Sequence, residues 1–482
     1  MDSNSLSICY MASEVEGLVK SGGLADVARA LPQALQDLNH NIKVVIPAYQ
    51  VIEGIEHADV VLATELEQTG QAYRILQLRC GDLTVYAIDC PEYFRRSALY
   101  AENNCAYHDN GERFAFFSMA ALDMLSKLDE KIDIIHVNDW HTGLVPFIFK
   151  HRYAQHPAFL NTKVVFTIHN AVFKGSFHPD ELSILGELSQ HPDLLVTGQH
   201  ASMLKAGVLC ADKINAVSPT YAKELLTDLG SHGFGGVFGA READLSGILN
   251  GCDYQAWSPQ QDPWLVANYS EKKQSLQTGK ARNKRALQQR LSLPEQKVAM
   301  FGMVCRLTHQ KGIQYLIPIL EKFLQHQVQV VIVGTGEVQL AQQLHDIERL
   351  YPHNFRFVEA YDNELAHWVE AGSDFFLMPS EFEPCGLNQI YSLAYGTLPI
   401  VRAVGGLKDT VVDYFDAPNS ATGFVFHEPT GEALLLTLLS ALLVYEQLPK
   451  VFVEMQIRAM NTRFDWETSA LSYLAMYESC LK

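Results

Sequence analysis

Short runs rich in Val and Ile recur along this chain, each followed by a longer stretch with helical periodicity. Residues 6–12, 42–48, 83–89, 133–137, 163–168 and 213–217 form one series of such runs. A second series comprises 298–305, 328–334, 355–359, 374–379, 398–402 and 423–426. Nearly uninterrupted apolar strands of this length fit parallel sheets covered by helices on both faces. Two series predict two α/β layers, and a length of 482 residues suits more than one domain.

Residues 258–296 separate the series. They are polar, with Pro259, Pro263, Gly279 and Pro294 and a basic cluster at Lys280, Arg282, Lys284 and Arg285. The expected division is therefore 1–250, 251–460 and a last segment, 461–482. In that segment Trp466, Ala470, Leu474, Tyr477 and Leu481 follow a helical stripe that must pack on one of the domains.

Composition excludes several classes of function. Lys and Arg number 37 against 55 Asp and Glu, a net charge of −18. Such an excess repels a polyphosphate backbone, so no nucleic-acid partner is expected, although a few local cations could still hold one small phosphorylated ligand. The nine cysteines are odd in number and form no C-x-x-C pair, which suits reduced thiols and neither a disulfide framework nor a zinc site. The N-terminal stretch lacks the basic region of a signal peptide, and the apolar run 433–445 falls short of the ~20 residues of a membrane span. A cytoplasmic enzyme without a membrane partner is the expectation.

In an open parallel sheet, ligands bind beyond the carboxyl ends of the strands, so the loops there carry the candidates. The first is Lys20-Ser-Gly-Gly-Leu24, with Gly22 and Gly23 allowing close approach and a helix start offering N–H groups to an anion. Asp26 suits the helix dipole, and Pro32 predicts a kink or break. An ordinary turn with a solvated lysine would have the same sequence. Arg306 and Lys311 end another strand, five residues apart, where both can reach one diphosphate; a solvated strand end is the bland alternative.

Pro379 to Asn388 contains Glu381, Glu383, Pro384, Cys385, Gly386 and Leu387, a sharp turn whose amides at 385–387 would face the region of Arg306. Cys385 has no paired histidine and reads as a small thiol near the site. His136, Asn138, Asp139, Trp140 and His141 invite a metal reading, but hydrogen bonding or stacking to a polar ligand suits a strand end better. His169 and Asn170 close the next strand. A satisfied core histidine is the alternative for each. Gly334-Thr-Gly-Glu337 fails the dinucleotide fingerprint because residue 339 is Gln, which argues against an NAD oxidoreductase. No D-x-D pair occurs, so no metal or other cofactor is expected and side-chain cations must neutralise a diphosphate.

These segments occur in a particular order. Together with 166–170, 216–221, Ile248-Leu-Asn-Gly251, 395–399 and Gly405-Gly-Leu-Lys-Asp-Thr410, they resemble bacterial glycogen synthases and plant starch synthases. The resemblance runs from about residue 7 to the end. It implies the GT-B fold, two Rossmann-like doubly wound domains facing a central cleft, with the last helix crossing back to the N-terminal domain. It implies retaining glucosyl transfer from ADP-glucose to the non-reducing end of an α-1,4-glucan such as glycogen. By the same resemblance Lys20 meets the donor, Arg306 and Lys311 bind its diphosphate, Glu383 orients the glucose and His169 approaches its hydroxyls. Asp26, Asp139 and Asn250 would add contacts around donor and acceptor, and Tyr361 would lie against the base. Trp140 and His141 would border the sugar cleft.

Departures from the pattern are Ser21, where Thr is usual, Gly17 for Pro, and Asn388 for Thr or Ile. Tyr391 stands where other retaining transferases carry a second glutamate. Other readings are a GT-B transferase with a small acceptor and an inactive glucan-binding protein; intact Lys20, Arg306, Lys311 and Glu383 argue against the second.

Overall fold

The computed structural model describes residues 5–102, 105–128 and 131–482. The chain divides into two compact units, Met1–Gly251 with Trp466–Lys482, and Cys252–Asp465.

The first unit is built on nine strands: β1 (Ser7–Met11), β2 (Asn41–Pro47), β3 (Asp59–Leu66), β4 (Gln71–Cys80), β5 (Leu83–Asp89), β6 (Ile134–Asn138), β7 (Lys163–Ile168), β8 (Lys213–Ala216) and β9 (Leu245–Gly247). Their order is β9-β8-β7-β6-β1-β2-β5-β4-β3. All pair in parallel except that β4 runs antiparallel to β3 and β5. The chain steps from β1 to β2 on one side and returns at β6 on the other, so the order reverses between β1 and β6. Loops leaving two adjacent strands in opposite directions open a crevice at such a point.

The second unit carries β10 (Ala299–Val304), β11 (Val328–Val333), β12 (Phe355–Val358), β13 (Phe375–Met378), β14 (Leu398–Arg402) and β15 (Phe424–Phe426), all parallel, in the order β12-β11-β10-β13-β14-β15. This is the doubly wound dinucleotide-fold order, reversing between β10 and β13. Both faces are buried. Phe301, Met303, Val330 and Ile332 enter one core layer, while Met300, Val331, Val333, Phe376 and Met378 enter the other. Burying one such side chain contributes ~1.5–3 kcal/mol, which explains why these strands are continuous apolar runs.

Two expectations, at Pro32 and in the terminal helix, need correction, and two further features had no expectation. The helix Gly23–Asp37 runs unbroken through Pro32, which is buried and so packs against the core. The hairpin β3–β4 has no counterpart among the expected strands, because half its residues face solvent and its pattern is not continuously apolar. The basic cluster at 280–285 lies on a helix, Lys273–Arg290, and two of its lysines are buried. Lys280 donates to Thr397 Oγ1 at 2.6 Å and to the Ala371 carbonyl at 3.1 Å, while Lys284 pairs with Asp374 at 2.6 Å. In the terminal helix Trp466–Leu481 the buried stripe is Ala470, Tyr473, Met476 and Tyr477, whereas Leu481 is exposed.

That helix belongs to the first unit. Tyr477 Oη lies 2.6 Å from Nδ1 of His136 on β6, and Asn215 on β8 donates to Tyr473 Oη at 2.9 Å. The preceding residues stay with the second unit, where the Cys252 amide donates to the Phe464 carbonyl at 2.7 Å. Among the described residues no single helix is long and apolar enough to cross a membrane.

Candidate active site

In the first unit, β1 is followed by Ser13 and Glu14, then by the Lys20 loop at the start of the helix Gly23–Asp37. Glu14 is buried, and its carboxylate accepts the Ser21 amide, the Ser21 hydroxyl at 3.0 Å and the Gly22 amide at 3.3 Å. The expectation of free amides for an anion at this helix start is therefore wrong for residues 21 and 22, because an internal carboxylate occupies them. The space above stays open, since a side chain at Gly22 or Gly23 would meet nothing within 4 Å. Lys20 is exposed and pairs with Asp26 at 2.7 Å and Glu16 at 2.9 Å. Burial lowers its pKa, but the hydrogen bonds and charges of those carboxylates outweigh burial and leave it raised.

One strand away, β6 ends in Asn138 and Asp139. Asp139 has φ 54° and ψ −179°, a region that only glycine adopts freely, at a cost of ~1–3 kcal/mol. Its carboxylate accepts the His169 amide at 2.7 Å and the Asn170 amide at 3.3 Å, tying the end of β6 to the end of β7. Burial pushes its carboxyl up to about 7, against the pull of both amides.

His169 Nε2 lies 2.9 Å from Asn138 Oδ1. The Asn138 amide nitrogen donates to the Met11 carbonyl at 2.9 Å, so its oxygen is the acceptor and His169 must carry its proton on Nε2. Burial pulls the imidazole down to about 3, so it is neutral, with Nδ1 left as an acceptor for a hydroxyl proton. Trp140 and His141 stack at 4.0 Å between ring centroids, and Phe114 meets both edge-on. His141 too is pulled down by burial to about 3, and its Nδ1 has no partner among the described residues.

His136, considered as a ligand contact, is instead a core residue. It is fully buried between Tyr477 and Thr167, with Nε2 2.8 Å from Thr167 Oγ1. Asn250, beyond β9, is buried, with Oδ1 unpartnered among the described residues.

In the second unit the chain leaves β10 through Arg306 and a short turn at His309–Lys311. Lys311 Nζ lies 2.7 Å from Glu383 Oε2, and Ser380 Oγ donates to the same oxygen at 3.0 Å. Two close approaches fix this geometry. Gly312 has φ 74°, and a Cβ there would stand 1.9 Å from the Pro379 carbonyl; at Gly405 a Cβ would stand 1.9 Å from the Glu383 carbonyl. Arg402, at the end of β14, clamps the loop by donating to the carbonyls of Ser380, at 2.8 Å, and Glu381. Asn388 Nδ2 donates to the Val304 carbonyl at 2.9 Å, joining the helix Asn388–Ala394 to β10.

Arg306 is exposed and makes no ion pair or hydrogen bond among the described residues. Cys385 is buried, Gly386 takes φ 72°, and Leu387 leads into the helix Asn388–Ala394. Tyr361, beyond β12, is 90% exposed. Tyr391, in place of a second carboxylate, stacks on Trp257 at 4.0 Å, and His367 covers the other neighbour position at 3.9 Å.

The sequence reading missed Glu14 and Arg402, and it quoted Asn138 and Ser380 within motifs without seeing that they hold His169 and Glu383. Asn138 and Arg402 act on loops that the folded sheet brings near them, while Glu14 and Ser380 act within their own loops; standing just beyond or at a strand end was their one local signal. Among the described residues no group of three or more His, Cys, Asp or Glu is arranged to hold a metal.

Residues 7–240 match the family described as starch synthase catalytic domain, and residues 284–454 match glycosyl transferases group 1. A glycogen synthase of Vibrio parahaemolyticus is 61% identical over 484 residues, covering 100% of both chains. Among solved structures, the catalytic domain of starch synthase IV from Arabidopsis thaliana, bound to ADP and acarbose, superposes with a TM-score of 0.89 at 30% identity, over 99% of this chain and 100% of that one. The sucrose-phosphate synthase of Thermosynechococcus elongatus shares the fold, with a TM-score of 0.60 at 18% identity over 98% of each chain.

Proposed function

The chain belongs to the glycogen synthase family of glycosyltransferases, with the GT-B fold, and from that premise we propose that it transfers glucose from ADP-glucose to the non-reducing end of an α-1,4-glucan with retention of configuration. The observation that carries this reading is Arg306, unpaired among the described residues, on the same loop as Lys311, which pairs with Glu383 from the adjacent strand's loop at the switch point of a doubly wound sheet.

Cleaving the bond between glucose and diphosphate builds negative charge on the leaving oxygens and positive charge on the sugar. Arg306 offers a two-pronged grip on those oxygens and Lys311 a point charge, both fixed before reaction. As Lys311 turns to phosphate, Glu383 is released to accept glucose hydroxyls, with Ser380 holding its carboxylate in place. Neutral His169 offers Nδ1 to another hydroxyl. Tyr361 offers an exposed ring to the base, and Cys385, Gly386 and Leu387 line the turn beside the phosphates. In the first unit Lys20 meets the donor, Asp26 holds it, and Asp139, Trp140, His141 and Asn250 border the sugars. Retention rests on the family resemblance. Since the side chains supply the countercharge, no resident metal is required. Nine free cysteines suit a reducing, cytoplasmic setting.

The test is incorporation of labelled glucose into glycogen from ADP-glucose and UDP-glucose in parallel, with and without EDTA. The expected result is faster transfer from ADP-glucose, insensitivity to EDTA, and a product fully degraded by an α-1,4-specific exoglucanase. Transfer to a monosaccharide phosphate but not to glycogen would replace this reading.

A further inference from the structure

Glu14 is an expensive residue to bury. A carboxylate taken out of water is tolerated only when hydrogen bonds replace its hydration. Here Oε2 accepts the amides of Ser21 and Gly22, while Oε1 accepts the Ser21 hydroxyl at 3.0 Å and the Tyr100 hydroxyl at 3.3 Å. Tyr100 is anchored in turn, with its Oη 2.7 Å from Ser13 Oγ, whose hydroxyl can donate to it. Burial still raises the carboxyl, with the amides of Ser21 and Gly22 among the groups opposing it.

The bonded segment, Ser21 and Gly22, directly follows Lys20 and opens the helix Gly23–Asp37. Lys20 is the cation of this loop, reaching Asp26 on one side and Glu16 on the other. Without a fixed backbone behind it, a lysine with four rotatable bonds would sample many positions.

We propose that Glu14 is a positioning residue, which braces the Ser21–Gly22 backbone so that Lys20 presents its ammonium to the donor. This rests on the reading of Lys20 as a donor contact and deepens it: the Ser21 and Gly22 amides are committed to Glu14, so they serve to hold Lys20 in place and not to meet the donor themselves. The role demands a carboxylate. A glutamine has one acceptor oxygen, and its NH2 would face either the two amides or the two hydroxyls, losing the doubly accepting geometry.

The experiment is a double-mutant cycle of Glu14→Gln and Lys20→Ala, measuring kcat/KM for ADP-glucose with glycogen in excess, alongside melting temperatures. Glu14→Gln is expected to lower kcat/KM about 30-fold when Lys20 is present and less than about threefold on the Lys20→Ala background, since the two act as a unit. Equal losses on both backgrounds would overturn the proposal while leaving Lys20 a donor contact. Wild-type turnover by Lys20→Ala alone would overturn the underlying reading, whatever Glu14 does. Should Glu14→Gln melt early, Ser21→Ala removes only the hydroxyl contact and carries the same comparison. A loss of about threefold confined to the Lys20 background supports the brace, and a loss common to both overturns it.

Discussion

Lys311 Nζ stands 2.7 Å from Glu383 Oε2, joining the loop after β10 to the loop after β13. The two residues are 72 positions apart in sequence, and adjacency of their strands at the switch point is what makes them neighbours.

Removing either partner should therefore be severe. Lys311→Ala deletes a countercharge to the leaving diphosphate and leaves the buried Glu383 without this cation, with Ser380 still donating to it. A fall in kcat of about 10²–10³ is expected, by analogy with loss of one fixed donor to a developing charge. Glu383→Ala should lose as much. Steady-state turnover of ADP-glucose checks both, and wild-type kcat in either would remove the pair from the site.

Asp139 should make stability depend on pH. Its carboxyl is pushed up to about 7, so the folded chain keeps a proton that the unfolded chain releases above about 4. The associated stability is complete below about 4 and is lost as pH rises through about 7. Asp139→Asn keeps the accepting oxygen but has no proton to lose. Its melting temperature relative to wild type should thus climb between pH 5 and pH 8; a flat difference would show Asp139 ionised throughout.

His169 should remain a neutral imidazole protonated on Nε2. The acceptor at Asn138 fixes the tautomer, and burial holds the pKa near 3. Nitrogen NMR of labelled protein should show this form unchanged from pH 8 to pH 5. A histidine that titrates near 6.5 would exclude the role given to it here.

Tyr477→Phe should destabilise the first unit by about 1–3 kcal/mol, because it leaves Nδ1 of the fully buried His136 unpartnered. Denaturant unfolding measures this. A change below about 0.5 kcal/mol would mean that the ring, packed against His136, and not its hydroxyl, holds the terminal helix in place.

The elements legible in the sequence were those whose pattern is set locally. β11 reads as a strand because Val330 and Ile332 enter one core layer and Val331 and Val333 the other, leaving no polar position. The hairpin β3–β4 escaped because residues such as Asp59, Glu65 and Gln71 alternate with its apolar ones at a sheet edge. The motif residues were legible as chemistry, though His136 shows the limit. A histidine at a strand end suits a ligand, yet this one faces a helix more than 300 residues away and is core.

The sequence by itself determined two α/β units, a net charge of −18, and the cations and carboxylates placed after the strands. Strand periodicity and charge are properties of neighbouring residues, so they survive in one dimension. Tertiary structure alone decided which of those groups meet: Glu383 with Lys311, Asp139 with the His169 amide, and Glu14 with the Ser21–Gly22 backbone. The first two contacts join loops from different strands and the third folds one loop back on itself, and a hydrogen bond at 3 Å depends on sheet order and loop geometry that no local pattern encodes.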